Sequence, residues 1–228
     1  MHFSKIVALV PMRHHSQRVP QKNYRDMAGK PLFHHILTTL SQCPEINKIV
    51  VDTDSDVITN GIYSAFPDVK VISRLISLRA DDIPMNAILL YDTEQEPADL
   101  YLQTHSTNPL LRAETISAAI KSFSNLYGKY DSLFSATRLQ TRLWDQYTKP
   151  INHNPSELLQ TQDLPPIYEE NSCIYLFTAE KLHERNHRIG EKPLMFEISA
   201  DEALDIDEES DFMIADSILK NRKNEQLV

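Results

Sequence analysis

The sequence predicts an α/β fold on a mainly parallel sheet, and three observations carry that prediction. Ile6–Val10 is a continuous apolar run, as expected of a strand covered on both faces. Further short strand-like runs alternate with stretches of helical periodicity, the pattern of βαβ units. A chain of 228 residues is long enough for one sizeable core and too short for two full domains, so residues 1–228 are expected to form one domain.

The elements follow in order. Lys5–Val10 reads as the first strand, and a cation-rich loop, Pro11–Asn23, follows its carboxyl end, where open α/β sheets bind ligands. Pro31–Leu40 reads as a helix with Pro31 near its first turn, and Ile49–Asp54 as a strand ending in carboxylates. Val69–Ile72 is a short strand, Met85–Glu94 a helix and Leu100–Gln103 another strand. A polar loop, Thr104–Pro109, leads into a helix over Ala113–Ile120 and a strand over Ser132–Ala136. Periodicity is then lost through Arg138–Pro166, a proline-bearing stretch whose length marks it as functional, flexible or an oligomer contact. Ser172–Phe177 resumes the sheet and Asp211–Lys220 closes the chain as a helix.

Composition narrows the partners. With 23 Lys and Arg against 32 Asp and Glu, the formal net charge is -9, which argues against a nucleic acid or an anionic membrane surface. No apolar run approaches the ~20 residues of a membrane span. The first residues lack a signal-peptide pattern, so a cytoplasmic protein is expected. The two cysteines, Cys43 and Cys173, lie far apart and read as reduced thiols.

In an acidic chain, a polyphosphate must be captured by a local concentration of donors. Arg13, Arg18 and Lys22 supply one: Arg13 and Lys22 could meet phosphate oxygens, Ser16 could donate its hydroxyl, and Asn23 could read a base or sugar edge. The alternative is a solvated loop whose charges serve solubility. In Ala203–Glu209, an extended backbone would put Asp205 and Asp207 on one face, a carboxylate pair suited to Mg²⁺ shared with substrate phosphates. Alternatively, these acids simply begin the last helix. Gln103 at the end of the Leu100–Gln103 strand, with His105 and Asn108 in the polar loop that follows, suits a hydroxylated or amidated ligand; alternatively these are turn formers. The nine histidines show no zinc spacing, and glycine-rich Walker loops are absent.

Taken together, these segments resemble the acylneuraminate cytidylyltransferase family, whose best-known members are the CMP-sialic acid synthetases. Met12, Arg13, Ser16, Pro20, Lys22 and Asn23 match its amino-terminal signature. Gly29–Leu32, Val50–Asp54, Arg74 with Asp82, Leu102–Gln103 with Asn108–Leu110, Asn171 with Tyr175, and Asp205–Asp207 follow in family order. The resemblance implies a three-layer Rossmann-like nucleotidyltransferase fold with a small protruding dimerisation lobe at about residues 138–166, and hence a homodimer. It implies CTP and a nonulosonic or related 2-keto sugar acid as substrates. Catalysis would rest on Arg13, Lys22 and Asp207, with Asp205 and Asp207 holding Mg²⁺. The nucleotide would meet Arg13, Ser16, Arg18, Lys22, Asn23, Arg74 and Asp82. The sugar would meet Gln103, His105, Asn108, Arg142, Asn171 and Tyr175. Trp144 and Tyr147 would anchor the dimer contact.

The chain departs from the family pattern at His14 and His15, where many relatives carry glycines, at Gln17–Arg18, and at Thr161, where sialic-acid users often carry a basic residue ahead of Gln-x-Leu-Pro. A sugar carboxylate would then need another cation, for which Arg142 or Arg138 is available. Two rival readings stand beside this one: a nucleotidyltransferase of the same fold with another nucleotide or sugar, and a non-catalytic nucleotide-sugar binding protein.

Overall fold

Alternation along the first strand divides the interior in two. In β1 (Ile6–Leu9), Val7 and Leu9 pack on one side of the sheet, and Ile6, Ala8 and the following Val10 on the other, the period-two geometry of an extended chain. Both sides are dry, which is why the run is continuously apolar.

The computed structural model describes residues 3–225. After β1 come a two-residue hairpin, β2 (Asp26–Met27) and β3 (Lys30–Pro31), then α1 (Leu32–Ser41), β4 (Lys48–Thr53), α2 (Asp56–Ala65) and β5 (Lys70–Ser73). Next follow α3 (Met85–Gln95), β6 (Leu100–Gln103), α4 (Ala113–Leu126), β7 (Ser132–Leu139) and β8 (Ile167–Phe177). The chain ends with α5 (Ala179–Arg185), β9 (Pro193–Glu197) and α6 (Glu209–Glu225). Seven strands form one sheet in the order β5-β4-β1-β6-β8-β7-β9, in which only β8 runs against its neighbours. Core side chains of α1, α2 and α4 cover one face, and Leu89 of α3 and Leu182 of α5 pack on the other, giving three layers.

Four features lie outside the sequence reading. The β2–β3 hairpin is too short to show periodicity, and its turn is set by positive φ at Ala28 (51°) and Gly29 (90°). Helix α2 mixes Asp56, Thr59, Asn60 and Ser64 with few apolar residues, but Ser55 caps it by accepting the Ile58 N–H at 3.3 Å. Helix α5 is only seven residues long and is capped in the same way by Thr178. Strand β9 begins on a proline at the sheet edge, where no ladder donor is missed.

Strand pairing between β7 and β8 continues to Leu139↔Ile167, so Arg138 is a strand residue and the irregular excursion covers 140–166. Asn152 organises it, donating to the Thr141 and Pro165 carbonyls at 2.7 and 3.2 Å and accepting the Leu143 N–H at 3.0 Å. Trp144, Tyr147, Ile151, Leu158 and Leu159 are exposed on it. Among the described residues no helix is long and apolar enough to cross a membrane.

Candidate active site

Because β4 and β6 lie on opposite sides of β1, the order of the sheet reverses there, and the loops at the carboxyl ends of β1, β5 and β6 enclose a cleft of about 590 Å³. The loop after β1 has a fixed shape. Met12 extends the strand with its N–H on the Asp52 carbonyl at 2.9 Å, and the His14 N–H binds Asp54 Oδ1 at 2.7 Å. The His14 ring is held by Ser55 Oγ (2.7 Å) and stacks on Tyr24, while His15 lines the cleft. A histidine therefore serves where a glycine would have left the loop free. Asn23 Nδ2 donates to the Arg13 carbonyl and its Oδ1 accepts the Ser106 hydroxyl, both at 2.7 Å. With both ends of its amide engaged, Asn23 ties the β1 loop to the β6 loop.

Each of the cations Arg13, Arg18 and Lys22 faces an acid. Asp81 accepts Arg13 Nη1 at 2.6 Å and Gln17 Nε2 at 2.8 Å. Arg18 Nη2 meets Asp207 Oδ1 at 2.5 Å, with both side chains more than half exposed. Solvated pairs of this kind contribute about 0–1 kcal/mol and can exchange partners readily. Lys22 Nζ donates to the Ile206 carbonyl at 2.5 Å. Burial lowers its pKa while Asp205 and Asp207 oppose that shift. Burial raises the pKa of Asp205, with a Thr107 hydroxyl bond acting against it, and its Oδ1 is buried without a donor.

Beneath the cleft, Arg74 is 2% exposed and its Nε binds Asp52 Oδ1, while Nη2 reaches the Asp52 carbonyl at 3.2 Å. Asp92 lies beside Asp52, and apart from these two carboxyls themselves no donor among the described residues reaches Asp52 Oδ2 or either Asp92 oxygen. Burial, then the Asp52 charge, push Asp92 up to about 9, so the two carboxyls share a proton at neutral pH.

At the β6–β8 side, Gln103 Oε1 accepts Arg188 Nη1 at 2.5 Å and Gln103 Nε2 lies 3.0 Å from His105 Nε2. The Arg188 guanidinium lies 3.6 Å over the Tyr175 ring. Burial, Arg188 and Lys22 push His105 down to about 3, which keeps it neutral. The Tyr175 hydroxyl binds Glu170 and Ser172 Oγ, and Ser172 enters the cleft wall through a left-handed φ of 59° beside the irregularity in β7–β8 pairing.

Of the residues singled out from sequence, Arg13, Ser16, Arg18, Lys22, Asn23, Arg74, His105, Asp205 and Asp207 line this cleft. Gln103 and Tyr175 stand behind it and act on Arg188. Four others lie apart from it. Asp82 is solvent exposed and its neighbour Asp81 forms the wall. Arg142 lies in the excursion, donating to the Leu159 carbonyl. Asn171 is spent between Ser135 (2.6 Å) and Thr137 (2.9 Å). Asn108 is fully buried with neither amide atom partnered. Asp81, Ser172 and Arg188 escaped the sequence reading; Arg188 sits in a segment with no periodicity, and only the strand order carries it to the cleft.

The sequence is similar over most of its length to known cytidylyltransferases and to a CMP-sugar-acid synthase. A CMP-N,N'-diacetyllegionaminic acid synthase of Legionella pneumophila is 29% identical over 95% of this chain and 97% of its own. An N-acylneuraminate cytidylyltransferase A of Danio rerio is 25% identical over 92% of this chain, which spans about half (50%) of that longer protein. Among solved structures, a CMP:2-keto-3-deoxy-manno-octonic acid synthetase complexed with CTP superposes with a TM-score of 0.74 at 15% identity, covering 96% of this chain and 100% of that one. Such a likeness shows the fold. Finally, the family model described as cytidylyltransferase matches residues 7–225, and the chain belongs to that family of nucleotidyltransferases.

Proposed function

We propose that this enzyme transfers a cytidylyl group from CTP to the anomeric hydroxyl of a 2-keto sugar acid. The hydroxyl oxygen bonds to the α-phosphorus as the bond to the β-phosphate oxygen breaks, pyrophosphate leaves, and the hydroxyl proton passes to a base at the site. One observation carries this reading: Arg13, Arg18 and Lys22 from the β1 loop face Asp205 and Asp207 across a single cleft. Charge that builds on phosphate oxygens needs positioned cations rather than a covalent nucleophile. Arg13 and Arg18 would leave Asp81 and Asp207 for the triphosphate, and Lys22 would hold the α-phosphate side.

The donor set fits Mg²⁺. Asp205 Oδ1 is buried with no donor and Asp207 is held only by an exposed arginine, while no group of three or more His, Cys, Asp or Glu ligands occurs among the described residues. Two carboxylates completed by phosphate oxygens and water are typical of this ion. Asp205 and Asp207 would hold it, and it would neutralise charge on the transferring and leaving phosphates. The sugar would sit toward Gln103, His105 and Tyr175. The legionaminic, pseudaminic and acylneuraminic acid enzymes among the relatives support a sugar acid as acceptor. A homodimer through the exposed apolar side chains of 140–166, and a reducing cytoplasmic setting for the buried free thiols Cys43 and Cys173, complete the reading.

Pyrophosphate release, assayed with each nucleoside triphosphate and a panel of 2-keto sugar acids with and without Mg²⁺, tests this. Release with CTP, Mg²⁺ and at least one such acid is expected, and Asp207→Asn should lower kcat by at least ~100-fold, on the scale of lost electrostatic stabilisation. Tight CTP binding without release for any acid would instead favour a binding protein. Release with GTP or UTP alone would overturn the cytidylyl assignment.

A further inference from the structure

One cation in the cleft is left over once the phosphate site is assigned. Arg13, Arg18 and Arg74 are paired with Asp81, Asp207 and Asp52, and Lys22 faces Asp205 and Asp207. Arg188 lines the same cleft and makes no ion pair among the described residues. The acid that acts on its charge, Glu170, is engaged by the Tyr175 hydroxyl.

The position of Arg188 is built rather than incidental. Its guanidinium lies flat on the Tyr175 ring, and Gln103 Oε1 takes Nη1 at 2.5 Å. The Gln103 amide is oriented for this because its Nε2 is directed to the Thr104 carbonyl and His105, each at 3.0 Å. The backbone is fixed as well. The Arg188 N–H donates to Asn86 Oδ1 at 3.2 Å, and the Gly190 N–H to Ser132 Oγ at 2.8 Å. Asp131 accepts the next two N–H groups, and a Cβ at Gly190 would fall 2.2 Å from Asp131 Oδ1, so only glycine lets the segment pass this close.

A partly desolvated guanidinium with a neutral histidine beside it and no carboxylate partner calls for an anion from the ligand. Its planar fork presents parallel N–H donors that match a carboxylate better than a point charge would. The triphosphate already has Arg13, Arg18 and Lys22. Arg142 is engaged by the Leu159 carbonyl, Arg138 belongs to β7, and Thr161 is uncharged. We propose that Arg188 receives the carboxylate of the acceptor sugar and so selects 2-keto acids over neutral ketoses. This assignment rests on the reaction proposed above.

Wild type, Arg188→Lys and Arg188→Met, compared by pyrophosphate release with a 2-keto sugar acid and with its C1 carboxamide, decide it; calorimetric CTP binding checks that each variant is folded. In Arg188→Met the KM for the acid should rise roughly 10- to 100-fold, the scale of lost charge-assisted hydrogen bonds, with CTP affinity within about two-fold of wild type. The preference for acid over carboxamide should fall toward unity and be partly restored in Arg188→Lys. An unchanged KM for the acid, or equal losses for acid and carboxamide, overturns the assignment. If wild type turns over no 2-keto acid, the proposed reaction fails on its own. The variants are then read by calorimetric binding of the acid to CTP-loaded protein, where an affinity unchanged by Arg188→Met, or no binding even to wild type, overturns the role of Arg188.

Discussion

At Asp92 a carboxyl group occupies a position that no donor reaches except through a proton shared with Asp52. Its folded pKa, raised from 3.8 to about 9, means that the native state keeps a proton the unfolded chain has lost. Unfolding therefore releases a proton between those values, and stability falls as pH rises through that window. Asp92→Asn, whose amide can donate to Asp52 Oδ2, should flatten the decline in Tm from about pH 6 to 9 and match or exceed wild type at the alkaline end; an unchanged slope would remove the shared proton. The residues of this buried group show how far single side chains can be read in advance. Arg74 was legible as part of an ordered motif, but it sits in the loop after β5, and the carboxyl group beside its partner Asp52, that of Asp92, comes from α3 and carries no local signal. Arg13, Lys22, Asp205 and Asp207 were legible because short segments place them, whereas Arg188 and Asp81 acquire meaning only from the packing of distant loops.

Among the elements, α2 joins stability to the site. Ser55 caps the Ile58 N–H and also holds the His14 ring. Ser55→Ala should cost about 1 kcal/mol of stability and release His14. The KM for CTP should then rise while that for the sugar acid holds; denaturant unfolding and steady-state kinetics read the two effects, and an unmoved KM for CTP would show that the cap does not reach the nucleotide loop. Strands β1, β4, β6 and β7 were legible from apolar runs, as were α1, α3 and α4 from their periodicity. The start of β8 was not, because Ile167–Glu170 contains exposed residues that pair with β7 beyond the core. Helix α5 and strand β9 depend on tertiary contacts more than on their own seven and five residues.

For the whole molecule, the excursion at 140–166 exposes more large apolar surface than its fold requires, with Leu158 93% and Tyr147 78% exposed. If these side chains close a homodimer, Leu158→Glu combined with Tyr147→Ser should shift sedimentation toward the monomer and leave the circular dichroism unchanged; a wild-type monomer at micromolar concentration would overturn the lobe as an interface. The parallel sheet was predictable from the order of elements, while the single reversed strand β8 was not, since the long connection before it allows either direction. The clasp between the two ends of the chain carries a further consequence. Lys22 meets Ile206, Arg25 binds Glu209 through Nη1 and Nη2 at 2.7 and 2.6 Å, and the Ala28 N–H reaches Asp216 at 2.7 Å. Contacts between such remote positions form late, because loop closure must precede them. During synthesis the first loop therefore waits, shaped on one side only, until the segment from Ile206 to Asp216 has emerged. Nucleotide capture thus depends on the segment that carries Asp205 and Asp207 having closed over the first loop.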